Sequence, residues 1–313
     1  MSEISSLETT ANQIAKYIHR TPVLTSTAIN QISGANLFFK CENFQKMGAF
    51  KMRGAASAIV NLSEEQKSKG VVTHSSGNFA QAVSLAAQSI GIKAYIVMPS
   101  NAPKVKQAAV RSYGGEITLC EPTLAARQKN ADRISNEKGA TFLHPSNDMQ
   151  VILGNGTSTK ELLEDHPDLN IVMAPIGGGG LIAGTALAAN AYGKDCICIG
   201  AEPMNVDDAY RSLQSGKIES NESTDTVADG LRTNLGDINF PIIQKHVHSI
   251  IRVEEEEIVA AMRLIWERMK IIIESSCAVP LAAVLKEKES FKSKKVGIIL
   301  SGGNVDLSKL PFS

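Results

Sequence analysis

The chain has no excess of charge of either sign: 32 lysines and arginines balance 32 aspartates and glutamates. A protein that holds nucleic acid or an anionic membrane surface gathers basic residues on one face, and that footprint is missing. No apolar stretch reaches the roughly 18 residues that a membrane span requires. The start, Met1-Ser2-Glu3-Ile4, has no basic region leading into an apolar run, so a signal peptide is not expected. Cysteines are few, odd in number and scattered (Cys41, Cys120, Cys196, Cys198 and Cys277), with no CxxC pair of the metal-binding type. Free thiols in a reducing cytoplasm are the simplest account. The sequence also lacks repeats, low-complexity tracts and linkers.

What it has is length and apolar content. With 313 residues, 43% of them hydrophobic, it can build one large or two ordinary domains around a buried core. Leu7, Ala11, Ile14 and Ile18 recur at helical spacing and predict a first helix ending near His19. Strands are predicted at 35–40, 71–74, 94–98, 116–120, 141–143, 171–176, 196–201 and 296–300. Between them, helical patterns are predicted over 55–62, 80–90, 104–113, 124–138, 154–164, 181–192, 254–270 and 279–287. Strands alternating with helices predict an α/β protein with mainly parallel sheets. Several strands run into Gly/Ser clusters, and open α/β sheets place ligands at such strand ends.

Three clusters carry chemistry. Lys51 follows Phe50 and sits among Gly48, Ala49, Gly54, Ala55 and Ala56. Apolar surroundings make a charged amine costly, lower its pKa and leave a neutral nucleophile of the kind a Schiff-base lysine needs. Against that stands the ordinary reading of a surface lysine at a helix start. The second cluster, Gly177-Gly178-Gly179-Gly180, lies between a strand and a helix, where backbone N–H groups can converge on a phosphate. It is not a P-loop, because no Gly-Lys-Ser/Thr follows. Gly178, Gly180 and Ala183 also fit a dinucleotide fingerprint, with Glu202 about twenty residues further on, so a nicotinamide-dependent oxidoreductase stays open as the alternative class. The third cluster is Ser75-Ser76-Gly77-Asn78 at a strand end. Trp266 and Met269 are read as core, and His74 as a strand end.

Together these motifs resemble the fold-type II pyridoxal-phosphate enzymes of the serine racemase and serine/threonine dehydratase family. The resemblance runs from Thr21-Pro22-Val23-Leu24 to Ser301-Gly302-Gly303-Asn304-Val305-Asp306. It implies a tryptophan synthase β-like fold of two open, mainly parallel sheets flanked by helices. Residues 1–69 with 148–313 would form a large cofactor-binding domain and 70–147 a small mobile domain that caps the substrate. It implies that Lys51 carries pyridoxal 5′-phosphate and acts as base on one face, with Phe50 against the pyridine ring. The loop Ser75-Ser76-Gly77-Asn78 would hold the substrate carboxylate, Ser76 also serving as acid/base on the opposite face and Asn78 also bonding the cofactor's 3′-oxygen. Gly177, Gly178, Gly179, Gly180 and Leu181 would cradle its phosphate, Glu274 would lie near it, and Ser301 would bond the pyridine nitrogen. Glu202, Val206 and Asp208 resemble a divalent-cation site, and hard oxygen ligands suit magnesium or calcium.

A serine at the pyridine nitrogen, unlike a carboxylate, does not keep it protonated, so the ring is a weaker electron sink. The implied activity is α-proton abstraction from a small β-hydroxy amino acid, followed by reprotonation (serine racemisation) or loss of the β-hydroxyl (dehydration of serine or threonine to a 2-oxo acid and ammonia). Three departures stand out: Phe79 replaces a common histidine in the substrate contacts, Glu274-Ser275-Ser276-Cys277 replaces a Glu-Pro-Thr run, and Gly154-Asn155-Gly156-Thr157 replaces Gly-Gln-Gly-Thr. Arg127 aligns with an arginine that can meet a second substrate carboxylate, which keeps 3-hydroxyaspartate as a substrate and a 3-hydroxyaspartate dehydratase as an alternative. Nucleotide (ATP) activation, known among relatives, and a cytoplasmic homodimer are carried as expectations. So is the absence of an isoleucine-sensing regulatory domain.

Overall fold

The computed structural model describes residues 3–312. Its strands are β1 (Val23–Leu24), β2 (Asn36–Cys41), β3 (Val71–His74), β4 (Ala94–Pro99), β5 (Glu116–Cys120), β6 (Thr141–Phe142), β7 (Ile171–Pro175), β8 (Ile197–Pro203), β9 (Val247–Val253) and β10 (Lys295–Leu300). They form a six-stranded sheet in the order β1-β2-β10-β7-β8-β9 and a four-stranded sheet in the order β5-β4-β3-β6. Every pairing is parallel except β1 with β2. The expected α/β class with two mainly parallel sheets is therefore correct.

Parallel strands covered by helices on both faces are read as continuous apolar runs, and all five residues of β7 and the last five of β10 are buried. The helix Gly180–Tyr192 is apolar all round, and its first ten residues are buried. It can lie there because Gly184 meets Gly156 of the helix Met149–Asp165: a Cβ on Gly184 would come within 2.4 Å of the Ile152 carbonyl. The same long helix crosses Lys51–Val60 at Gly154, where a Cβ would come 2.4 Å from the Arg53 carbonyl. Two close crossings thus hold the helix that carries Lys51 and the helix that follows the glycine loop against the same long helix. Asn155, in place of the more common glutamine, is fully buried between them with both amide atoms unpaired among the described residues.

Sequence and structure differ at informative places. The helix expected from Gly154 starts at Met149, because Asp148 Oδ1 accepts the N–H groups of Gln150 (2.8 Å) and Val151 (3.2 Å) and caps it. The helix expected from Val279 starts at Ser275 and holds Pro280 inside it. Edge strand β9 gives no signal, since its burial neither alternates nor runs continuously. The helices Thr27–Ser33, Glu64–Lys69, Asp208–Ser215 and Phe240–His246 span 6–8 residues, too short to establish a period.

Candidate active site

Four strand ends converge on one region: β3 runs into Ser75, β6 into His144, β7 into Gly177 and β10 into Ser301. Lys51 opens its helix, and the Phe50 N–H beside it donates to the Ser301 carbonyl at 2.9 Å. An Ala49–Gly302 bridge and a bond from Gly303 N–H to the Gly48 carbonyl (2.9 Å) tie the two segments together. Lys51 Nζ donates to the Pro145 carbonyl at 2.8 Å and lies 4.9 Å from the Phe50 ring centroid and 5.7 Å from that of Phe79. Burial pushes its amine down to about 8, against the pull of Glu274 in the other direction. The neutral amine expected from its neighbours is thus accessible near physiological pH.

Asn78 begins the helix Asn78–Ile90 and is gripped from both sides. Its Nδ2 donates to both oxygens of Glu274 (3.0 and 3.1 Å), and its Oδ1 accepts from Asn304 Nδ2 at 2.9 Å. Asn304 Nδ2 also donates to the carbonyl of Met47, whose φ is +56°. The Glu274 carboxyl is pushed up to about 7, by burial and by Asp229. Ser76 is half-buried and its hydroxyl has no hydrogen bond among the described residues. Phe79 is buried.

The glycine loop is packed tightly on its flanks. A Cβ on Gly178 would meet Ser146 Oγ at 2.4 Å, and one on Gly180 would meet the Ser146 backbone at 2.8 Å. Gly179 has φ +80°, so a side chain there would be strained as well as crowded by Asn239. Asn239 Nδ2 donates to the Gly178 carbonyl at 2.8 Å. Among the described residues the N–H groups of Gly178, Gly179, Gly180 and Leu181 donate to nothing. Four such donors at a helix start form a ready anion cradle.

Arg127 lies beside His74 on the small sheet's side, half-buried, with its Nε buried and unpaired and no salt bridge among the described residues. His74 instead shares a 3.0 Å contact with Gln128 Oε1. Glu202 and Asp208 stand at the end of β8 and the start of the following helix, both fully buried, with Val206 buried between them. Glu202 accepts the N–H groups of Ala209 (3.1 Å) and Tyr210 (2.9 Å); Asp208 accepts from Asn221 and from the Leu235 N–H. Burial and the neighbouring Asp208 raise the Glu202 carboxyl well above the usual range, and burial raises Asp208 to about 6. Among the described residues neither forms a salt bridge, since Arg211 and Arg252 both pair with Asp207. Among the described residues no three His, Cys, Asp or Glu side chains are placed to hold a metal ion.

Residues 14–302 match the family described as pyridoxal-phosphate dependent enzyme. The chain belongs to that family. It is 49% identical over 302 residues to a serine racemase of Dictyostelium discoideum, covering 95% of this chain and 93% of the relative. It is 48% identical to a beta-hydroxyaspartate dehydratase of Paracoccus denitrificans, covering 96% of each. The solved maize serine racemase superposes with a TM-score of 0.96 at 46% identity, covering 98% of this chain and 95% of that one. Pyridoxal phosphate fits what the residues offer: a desolvated lysine, unpaired N–H groups on the glycine loop for a phosphate, and aromatic rings beside the amine. Glu202, buried and bonded to backbone N–H groups, does not stand open to a ribose as the nicotinamide alternative requires.

Several residues at the site escape the sequence reading. Pro145 meets Lys51, Ser146 and Asn239 buttress the glycine loop, and Asn304 orients Asn78. Position is the one sequence signal for Pro145 and Ser146, since His144-Pro145-Ser146-Asn147 follows a strand as a turn-forming cluster like the other three strand ends; Asn304 lies within the Ser301–Asp306 motif without a role read for it, and Asn239 has no signal.

Proposed function

We propose that the protein racemises serine and eliminates water from L-serine and L-threonine, giving a 2-oxo acid and ammonia. The observation that carries this reading is the desolvated, half-buried Lys51 amine, lowered to about 8, joined through Pro145 and Ser146 to a glycine loop whose N–H groups from Gly178 to Leu181 are unpaired among the described residues. Bound pyridoxal phosphate would supply the electron sink that makes an amino acid's α-C–H acidic. Lys51 holds it and takes the α-proton on its own face, as a neutral amine can. Gly177 to Leu181 bind the phosphate, Phe50 packs beside the ring, and Ser301 offers the pyridine nitrogen a hydroxyl. Asn78, fixed by Glu274 and Asn304, meets the 3′-oxygen. Ser75, Ser76 and Gly77 bind the substrate carboxylate, and Ser76 returns a proton on the opposite face. Residues 70–147 form a small domain that closes over the substrate and excludes water. Glu202, Val206 and Asp208 would hold magnesium or calcium; two buried carboxylates with no salt bridge among the described residues support this. Five free cysteines fit the cytoplasm, and a homodimer is the assembly expected.

A second reading, dehydration of 3-hydroxyaspartate, is favoured by Arg127. A half-buried guanidinium with no carboxylate partner among the described residues suits a substrate's second carboxylate. Borohydride reduction of the purified holoenzyme followed by peptide mapping tests the core of both: cofactor fixed on Lys51 is the expected result. A protein that stays colourless with added pyridoxal phosphate would overturn it. Rates of 2-oxo acid formation from serine, threonine and 3-hydroxyaspartate then separate the two readings.

A further inference from the structure

His144 lies one residue from the carbonyl that receives Lys51 and two from the serine that buttresses the glycine loop. Its Nδ1 accepts two backbone N–H groups, from Ser146 (3.2 Å) and Asn147 (2.8 Å). An atom that accepts twice carries no proton, so the neutral ring keeps its hydrogen on Nε2. Burial and the neighbouring His74 and Lys51 push the imidazolium down to about 4, so the ring is neutral throughout the physiological range. The ring stands edge-on to Phe142, which lies against His74, and this row holds its plane. Nε2 has no partner among the described residues, and it is not one of the buried unpaired atoms. The result is a fixed, uncharged hydrogen-bond donor that is not sealed off from solvent, on the residue before the carbonyl that receives Lys51.

We propose that His144 Nε2–H donates to the β-oxygen of the substrate and is the residue that separates β-hydroxy amino acids from alanine. The inference rests on the proposed function. Phe79 occupies the position where relatives commonly place a histidine, and it has no polar atom to offer; His144 supplies one from the end of the neighbouring parallel strand, β6. With so low a pKa the ring orients the oxygen and does not protonate it.

The test uses the holoenzyme titrated with L-serine and with L-alanine, reading the change in visible absorbance. His144→Asn keeps an acceptor where Nδ1 caps the loop and loses the Nε2 donor; His144→Gln places a donor near Nε2. The expected result is that His144→Asn lowers the preference for L-serine over L-alanine by about three- to tenfold, the worth of one hydrogen bond, and that His144→Gln restores part of it. Equal weakening of both amino acids, or no change in either, overturns the inference. The unaltered holoenzyme gives an independent check with L-2,3-diaminopropionate, whose β-ammonium can only donate: it should bind no better than L-alanine, and tighter binding overturns the inference. A holoenzyme whose absorbance responds to no amino acid overturns the proposed function, and this inference with it.

Discussion

Replacing Arg53 by methionine should be among the most damaging single changes outside the site. Arg53 is fully buried two residues after Lys51 and uses its whole guanidinium. Nε and Nη2 grip Glu42 (2.8 and 2.9 Å), Nη1 and Nη2 grip Glu161 (2.8 Å each), and Nη1 also donates to Thr157 Oγ1 at 3.0 Å. Lys40, equally buried, adds a 2.6 Å bond to Glu161. Removing one member of such a cluster strands a buried carboxylate and costs about 3–5 kcal/mol, against a total stability of about 5–15 kcal/mol. Arg53→Lys should lose an intermediate amount, because an ammonium cannot bond two carboxylates bidentately. Burial pushes the Glu161 carboxyl up, but Arg53 and Lys40 outweigh it and hold it below the usual range. In the unaltered protein its stabilising contribution is therefore present above the unfolded pKa and lost as pH falls through the lower folded one. In Arg53→Met burial is opposed by Lys40 alone and the carboxyl rises. The gap between the two proteins should narrow on acidification from pH ~7 to ~5 as that carboxyl takes up a proton. Urea denaturation followed by far-UV circular dichroism at several pH values measures both. A loss below about 1 kcal/mol, the scale of an exposed ion pair, would refute the reasoning.

Three further outcomes are expected. Uptake of pyridoxal phosphate by the apoprotein, followed as visible absorbance, should accelerate with pH up to about 8 and then level off, because only the neutral Lys51 amine attacks. Glu274→Gln removes the charge that opposes the lowering and should move the break to lower pH; an unmoved break would mean that Glu274 does not reach Lys51. Ser76→Ala should abolish D-serine formation while leaving pyruvate formation from L-serine largely intact, and an equal loss of both would show that Ser76 has another role. Magnesium at a hundredfold excess over its Kd should stabilise the fold by about 2–3 kcal/mol in a thermal melt. Asp208→Asn should lose that increment, and an equal increment in both proteins would place the cation elsewhere.

The parts of the site legible in the sequence are those where backbone chemistry restricts the choice of residue. The glycine loop is readable because Ser146 and Asn239 leave no room for a Cβ, and Lys51 because small and aromatic neighbours announce its burial. The His144–Asn147 segment is not readable in that way. Part of its work is done by the Pro145 carbonyl and the Ser146 backbone, which any residue supplies, and nothing local marks His144 out among the chain's six histidines. The Arg53 cluster is silent for a different reason: Lys40, Glu42, Arg53 and Glu161 look like ordinary surface charges, and up to 121 residues separate partners that meet only after folding. Yet the cluster bears on the one property the sequence did announce. Two cations balance two carboxylates, so it is neutral as a unit, and the causes that move Lys51 are burial and Glu274, not Arg53. A neutral cluster can anchor the helix that begins at Lys51 without disturbing the amine at its start. The cluster and the amine are electrostatically separate, so Arg53→Met should cost stability and yet leave the pH break in cofactor uptake where it is, in contrast to the downward shift expected for Glu274→Gln.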